Sequence, residues 1–235
     1  MINLDGRNKE TSSPQRNSIN LQTGEILFGN FNGYFSTTEF KEPTLKNINV
    51  HFKKGLFYGI AGKVGSGKSA ILSAILEEVP YYSGELLLSG TLAYVEQEPY
   101  IFAGTIRENI VFGKPYDEEF YNQVIKVCCL ESDFKLFPTG DRTEVGERGI
   151  TVSGGQKARL SLARAVYSKA DIYLFDDPIS AVDAKVARRI YHDVIQGVLK
   201  NKTVLLVTHQ VHYLTECDQL IIMKDGNIEH QGTPM

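Results

Sequence analysis

The run Gly62-Lys63-Val64-Gly65-Ser66-Gly67-Lys68-Ser69 constrains the fold of this chain more than any other stretch. A Gly-x-x-x-x-Gly-Lys-Ser pattern makes a phosphate loop only where a strand enters it and a helix leaves it. Both flanks are present. Residues 56–61 (Leu-Phe-Tyr-Gly-Ile-Ala) read as a short buried strand. Ile71, Ile75 and Val79 then recur at i, i+4 and i+8, with Leu72 and Leu76 beside them, which predicts a helix over 68–78. Glycines let the backbone wrap so that the amide hydrogens between Gly62 and Ala70 converge on an anion. The helix start adds its partial positive charge. In such a loop Lys68 reaches the β- and γ-phosphates and the Ser69 hydroxyl ligates Mg²⁺. A site for a magnesium-bound nucleoside triphosphate is expected.

The rest of the chain sets limits around that site. Its 235 residues suit one large domain, or a core with a smaller lobe. A net charge of −3 gives no general attraction to polyanions, so no nucleic-acid partner is expected. Apolar runs are only a few residues long, against the ~20 needed to span a bilayer. Residues 1–20 are polar and carry no basic-then-apolar signal. Cys128, Cys129 and Cys217 lack metal or redox spacing and read as reduced, buried thiols of a cytosolic compartment.

Residues 1–22 read as a polar, disordered leader, with Ser12, Ser13 and Ser18 as possible phosphoacceptors or parts of a plain tether. From residue 23 the chain looks folded. β-type runs at 25–28 and 48–52 surround a turn-rich loop. Pro80 and Gly84 bracket a turn into strands at 85–88 and 91–95. Apolar spacing turns helical over 105–136, marking a helical lobe within about 100–168. A helix over 157–167 shows Leu160, Ala163 and Tyr167 on its apolar side. Strands follow at 172–175, 203–207 and 219–223, and Val186, Ile190, Val194 and Val198 line one helix face between the first two. The fold class expected is α/β, with a largely parallel sheet, an N-terminal antiparallel β part and an inserted helical lobe.

Asp176 ends the strand at 172–175, where a parallel sheet presents its ligand edge. A carboxylate there can share Mg²⁺ with Ser69; the plainer alternative is a turn or capping aspartate before Pro178. His209 follows the strand at 203–207 and would point at the same edge, able to donate to a γ-phosphate. His51, His192, His212 and His230 lack such placement. Val152-Ser153-Gly154-Gly155-Gln156 is a second glycine-bearing turn before a helix, with Ser153 fit to be its N-cap. It is either a cap with a flexible turn or a second anion-binding helix start, facing another subunit's nucleotide.

The ordered set resembles the nucleotide-binding domain of an ATP-binding-cassette (ABC) transporter. It comprises the phosphate loop, Gln97 in Val95-Glu96-Gln97-Glu98-Pro99, the signature at 152–156, Asp176, Ser180-Ala181-Val182-Asp183, and His209. Coverage runs from about residue 25 to 234. The resemblance implies a head-to-tail dimer with ATP held between one phosphate loop and the partner's signature. Ser180, Ala181, Val182 and Asp183 would lie in its dimer loop, and Gln97 would join the Mg²⁺ shell and sense an attached transmembrane domain. Thr143-Glu144-Val145-Gly146-Glu147-Arg148-Gly149 resembles the exporter segment that meets that domain. Such a chain would work at the cytoplasmic face of a membrane. Asp-Ile-Tyr-Leu-Phe-Asp-Asp-Pro-Ile-Ser-Ala-Val-Asp at 171–183, with Ser-Leu-Ala-Arg-Ala-Val-Tyr at 161–167, is similar to the first nucleotide-binding domain of the C subfamily. That subfamily holds the multidrug-resistance-associated proteins and a chloride-channel relative, whose own version of 171–183 differs more.

Two departures matter. The family's adenine-stacking aromatic is usually Tyr or Trp, and this chain has no Trp. Phe35 is the candidate, with Tyr34 the competitor; both could instead be ordinary strand aromatics. Active members carry Glu after the metal aspartate, where this chain has Asp177. Its carboxylate reaches ~1.5 Å less far. Water positioning by a general base is worth roughly 10²–10⁴-fold, so ATP binding with slow hydrolysis is expected here. Val152, where Leu is commoner, is a mild change. The resemblance thus implies an exporter's ATP-driven motor domain. An ATP-gated regulatory module with little turnover is the alternative, and a soluble ABC protein on DNA or ribosomes is disfavoured.

Overall fold

Strand and helix alternate as the hydrophobic pattern requires, and the computed structural model describes residues 20–35, 42–146 and 151–234. In chain order the elements are β1 (Glu25–Tyr34), β2 (Leu45–Phe52), β3 (Phe57–Gly62), α1 (Lys68–Ile75), β4 (Tyr81–Ser89) and β5 (Leu92–Val95). The lobe follows as β6 (Gly104–Thr105), α2 (Ile106–Val111), α3 (Glu118–Val127), α4 (Glu131–Leu136), β7 (Glu144–Val145) and α5 (Gly154–Tyr167). The chain then returns through β8 (Ile172–Asp176), α6 (Ala184–Ile190), β9 (Thr203–Val207), α7 (Val211–Leu214), β10 (Gln219–Lys224) and β11 (Asn227–Gly232).

The main sheet has the order β11-β10-β3-β9-β8-β5, and all its pairings are parallel except β10 with β11. A sheet covered on both faces needs apolar residues at every position of its central strands. All five residues of β8 and all five of β9 are buried. The two-residue period divides them: Ile172, Leu174, Leu205 and Val207 face a core shared with α1 and the N-terminal strands. Tyr173, Phe175, Val204 and Leu206 face the opposite core, with Leu160 and Ala163 of α5 and Ile190 of α6. A separate antiparallel sheet, β2-β1-β4, lies over α1 and buries Phe28, Phe31, Ile48 and Phe52. The α/β class with an antiparallel N-terminal part and a helical insertion is therefore the observed one.

The lobe helices carry their own stop and start signals. Thr105 and Glu108 form a capping box at α2, with bonds of 3.1 Å and 2.7 Å. Asp117 caps α3. Arg164 of α5 then ties the lobe down, donating to the Asn109 carbonyl (2.7 Å), to Asn109 Oδ1 (2.9 Å) and to the Tyr100 carbonyl (3.0 Å).

Several boundaries differ from the sequence pattern. The helix after the phosphate loop ends at Ile75, because Glu77 takes a left-handed φ of 60° and Pro80 follows. Gly84 is not a turn before a strand; it lies inside β4. It faces an irregularity of β1, where an added Cβ would stand 2.2 Å from the Asn30 carbonyl. The face marked by Val186, Ile190, Val194 and Val198 is shared between α6 and a following π-helical segment, Tyr191–Val198, in which Tyr191 and Ile195 are buried too. The ribbon of β6 with β7, the edge strand β11 and the short α7 carry no pattern that marks them in sequence. Residues 1–19 of the proposed leader (1–22), with Ser12, Ser13 and Ser18, and part of the turn-rich loop (36–41) lie outside the described residues, as do Glu147, Arg148 and Gly149.

Candidate nucleotide-binding site

Register places the candidate residues on one edge of the sheet. Ile60 of β3 pairs with Val207 of β9, Val207 pairs with Asp176 of β8, and Phe175 pairs with Val95 of β5. The residues just beyond these positions leave the sheet together: the phosphate loop, His209, Asp177 and Gln97. Parallel sheets hold their ligands at this C-terminal edge.

The loop itself is built by sterics. Gly62 has φ 151°, and a Cβ there would lie 2.4 Å from both the Met223 carbonyl and Ser66 Oγ. Gly67, at φ 104°, is the N-cap of α1. Around Gly65, at φ 79°, an added Cβ would meet nothing within 4 Å, so the loop opens outward there. Lys63, Val64, Gly65 and Ser69 are exposed, Ser66 is buried and Ala70 is half-buried. The Lys68 ammonium is buried and donates to the carbonyls of Gly62 (2.9 Å) and Lys63 (3.0 Å). Burial lowers its pKa, and the charges of Asp176 and Asp177 oppose that shift. A desolvated cation, two nearby carboxylates and an open glycine loop fit a polyphosphate carrying a divalent metal.

Asp176 and Asp177 are both buried at the end of β8. Asp177 has φ 49°, a region Asp tolerates better than most residues. Its N–H donates to the Val207 carbonyl (2.8 Å), and its Oδ1 accepts from the Thr208 hydroxyl (2.9 Å). The Ser180 hydroxyl donates to the Asp177 carbonyl (3.0 Å), which ties the carboxylate pair to the segment Ser180, Ala181, Val182 and Asp183. Asp183 then N-caps α6, accepting from Val186 (3.1 Å). Gln97 and His209 are exposed. Among the described residues neither is hydrogen-bonded to the loop. Phe35 lies just beyond the end of β1 with 38% of its surface exposed, and Tyr34 is half-buried.

The signature is built elsewhere, on α5. Val152 is buried. Ser153 and Gln156 form a capping box: the Gln156 N–H donates to Ser153 Oγ (3.3 Å) and the Ser153 N–H to Gln156 Oε1 (2.8 Å). Gly155 lets the Ala181 carbonyl approach, since a Cβ would stand 3.0 Å from it. The signature therefore packs on 180–183. Among the described residues no hydrogen bond joins 152–156 to 62–70. One chain thus presents two separate glycine-bearing helix starts.

Some residues here escaped the sequence reading. Thr208 stands beside His209 but gives no local signal of its role. Asp133 accepts from Gln156 Nε2 (2.9 Å) and Arg159 Nη2 (2.6 Å) across a sequence gap that no motif spans. Phe112 is 60% exposed and joins Phe102, Arg107 and Tyr116 around a groove of about 830 Å³ on the lobe. Its ring lies 5.7 Å from that of Phe102.

Comparison with known proteins agrees with this geometry. Residues 45–180 match the family described as ABC transporter. The chain is 50% identical over 202 residues to ABC transporter C family member 9 of Arabidopsis thaliana, a match covering 86% of this chain and 13% of that protein. A Drosophila melanogaster protein named as a probable multidrug resistance-associated protein is 51% identical over 189 residues, 80% of this chain and 14% of the relative. Human ATP-binding cassette sub-family C member 4 is 43% identical over 230 residues, 98% of this chain and 17% of the relative. The chain spans less than a fifth of the length of these relatives.

Proposed function

The chain belongs to the ABC transporter family, and from its site we propose that it is the ATP-binding motor domain of a C-family exporter. The single observation that carries this reading is the buried Lys68 ammonium. It donates to two loop carbonyls and feels the charges of Asp176 and Asp177, at the sheet edge that also carries Gln97 and His209. On arrival of a triphosphate, Lys68 exchanges carbonyl oxygens for phosphate oxygens, and the amides of 62–70 hold the rest of the tail. Ser69 and Asp176, with Gln97, supply the hard oxygen ligands that suit Mg²⁺. When bound, the metal neutralises charge that develops on the phosphates.

The signature supports a head-to-tail dimer with a second nucleotide-binding domain. Ser153 Oγ accepts the Gln156 N–H, which leaves its own proton free to donate to an anion. Gly154 and Gly155 add first-turn amides, which have no intrahelical acceptor. These groups serve ATP carried by the other domain, and Phe35 stacks on the adenine of this domain's own ATP. Asp177 orients the attacking water less well than Glu, so hydrolysis at this site is slow, and His209 supports the γ-phosphate. The groove around Phe112 takes a segment of the exporter's transmembrane domain. The far greater length of the relatives and the exposed aromatic lining favour that occupant. A motor domain of this kind would work at the cytoplasmic face of a membrane. Among the described residues no helix is long and apolar enough to cross one. Asp177 also favours a second reading, an ATP-gated regulatory module with little turnover.

Association under MgATP tests the motor reading. The chain is mixed with a companion domain that carries Glu where this chain has Asp177, and the complex is followed by sedimentation. MgATP should drive association, and Ser153→Ala should weaken it at least tenfold while leaving nucleotide affinity of the isolated chain within twofold. Association indifferent to both would refute the dimer. Single-turnover hydrolysis in the mixture separates motor from regulator: measurable turnover at the composite site supports a motor.

A further inference from the structure

We propose that Asp133 is a positioning residue for the signature. Through the Gln156 amide, it makes the lobe helix α4 part of the partner-facing anion site. The inference rests on the signature reading above, and it concerns how that turn is held.

Asp133 is 7% exposed, although α4 has an exposed acidic residue, Glu131, that already serves its helix start. The carboxylate turns inward and accepts two bonds from α5, one from Gln156 Nε2 and one from Arg159 Nη2. Arg159 is nearly buried, and its Nε has no partner among the described residues, so Asp133 is its counter-ion. The bond to Gln156 has a different consequence. A side-chain amide presents a donor at one end and an acceptor at the other, and the two ends are nearly the same shape. A carboxylate can only accept. Asp133 therefore requires the NH₂ end of Gln156, and the oxygen end must face the Ser153 N–H, where it lies at 2.8 Å. The reversed amide would set NH₂ against N–H at Ser153 and open the capping box. The lobe thus selects the one amide orientation that fixes Ser153 at φ −66° and ψ 162° at the start of α5.

Asp133→Asn tests this most sharply, because it keeps the shape and gives residue 133 a donor as well as an acceptor. Amide hydrogen exchange is measured on the full chain. Asp133→Asn should speed exchange at Ser153 and Gln156 at least fivefold and leave 62–70 unchanged. Gln156→Ala should give the same acceleration, and combining the two should add nothing further. Replacing both charges, Asp133→Leu with Arg159→Met, should reproduce the effect even if the single variant folds poorly. Unchanged exchange at the signature, equal acceleration along the whole of α5, or effects that multiply in the double variant would overturn the proposal. Failure of MgATP-driven association in the wild-type chain would strike the dimer reading instead, while the exchange pattern still decides Asp133.

Discussion

The Thr208 hydroxyl donates to Asp177 Oδ1 across 2.9 Å, joining the ends of two adjacent parallel strands at the point where the chemistry is expected. Thr208 Oγ1 in turn accepts the Gln210 N–H (3.1 Å), so its proton is committed to the carboxylate. Asp177 is both short and held toward β9.

Under the proposed motor reading, Asp177→Glu is expected to raise turnover. In the assembled dimer, single-turnover hydrolysis at this site should rise roughly 10–100-fold, within the range ascribed to a well-placed general base. MgATP affinity should stay within twofold for Asp177→Glu and Asp177→Ala alike. An unchanged rate in the Glu variant would remove the explanation given for slow turnover.

Gly62 and Gly65 should separate cleanly on substitution by Ala. At Gly62 a Cβ collides with the Met223 carbonyl and Ser66 Oγ at 2.4 Å, so the loop must open. A loss of about 2 kcal/mol or more in denaturant unfolding is expected, together with loss of MgATP binding by calorimetry. At Gly65 only the left-handed φ is strained, at a cost of about 1 kcal/mol, and binding should persist, weakened.

Much of the site could be read in sequence because its geometry is local. A strand, eight loop residues and a helix fix the phosphate cradle, and the Ser153–Gln156 capping box spans only three positions. Strand ends in buried runs put Asp176 and His209 at the C-terminal edge of the sheet, where the structure has them. What escaped was non-local. Thr208 meets Asp177 from 31 residues away and Asp133 meets Gln156 from 23, and no periodicity encodes such pairs. Gly84 read as a turn because a bulge opposite Asn30 demands the same residue type. The polar β11 has no apolar alternation, since it borders the sheet and is mostly exposed.

Phe112→Asn should leave the fold intact and abolish docking. Phe112 lies at φ 45°, which Asn adopts more readily than Phe, and its ring is mostly exposed. The melting temperature should hold or rise slightly. Binding to the detergent-solubilised transmembrane domain, measured by co-purification, should fall at least tenfold. Undiminished binding would move the docking surface elsewhere.

Cys128 and Cys217, the two buried thiols, should be inert while the chain is folded. Burial pushes the Cys128 thiol well up, and the neighbouring Cys129 adds to the shift; burial also raises Cys217. A raised pKa leaves less thiolate at any given pH, so alkylation begins only in more alkaline solution. At about pH 8.5, the ordinary thiol value, iodoacetamide should label Cys128 and Cys217 only after denaturant is added, as read by mass spectrometry. Rapid native labelling of Cys128 would contradict the packing of α3 against the lobe core.

Titration calorimetry of the chain with MgATP decides whether the loop at 62–70 grips a triphosphate. One saturable site is expected, its affinity falling at least tenfold in Lys68→Ala while the variant's melting temperature stays near that of the wild type. No binding heat from well-folded protein, or equal affinity in Lys68→Ala, would contradict it.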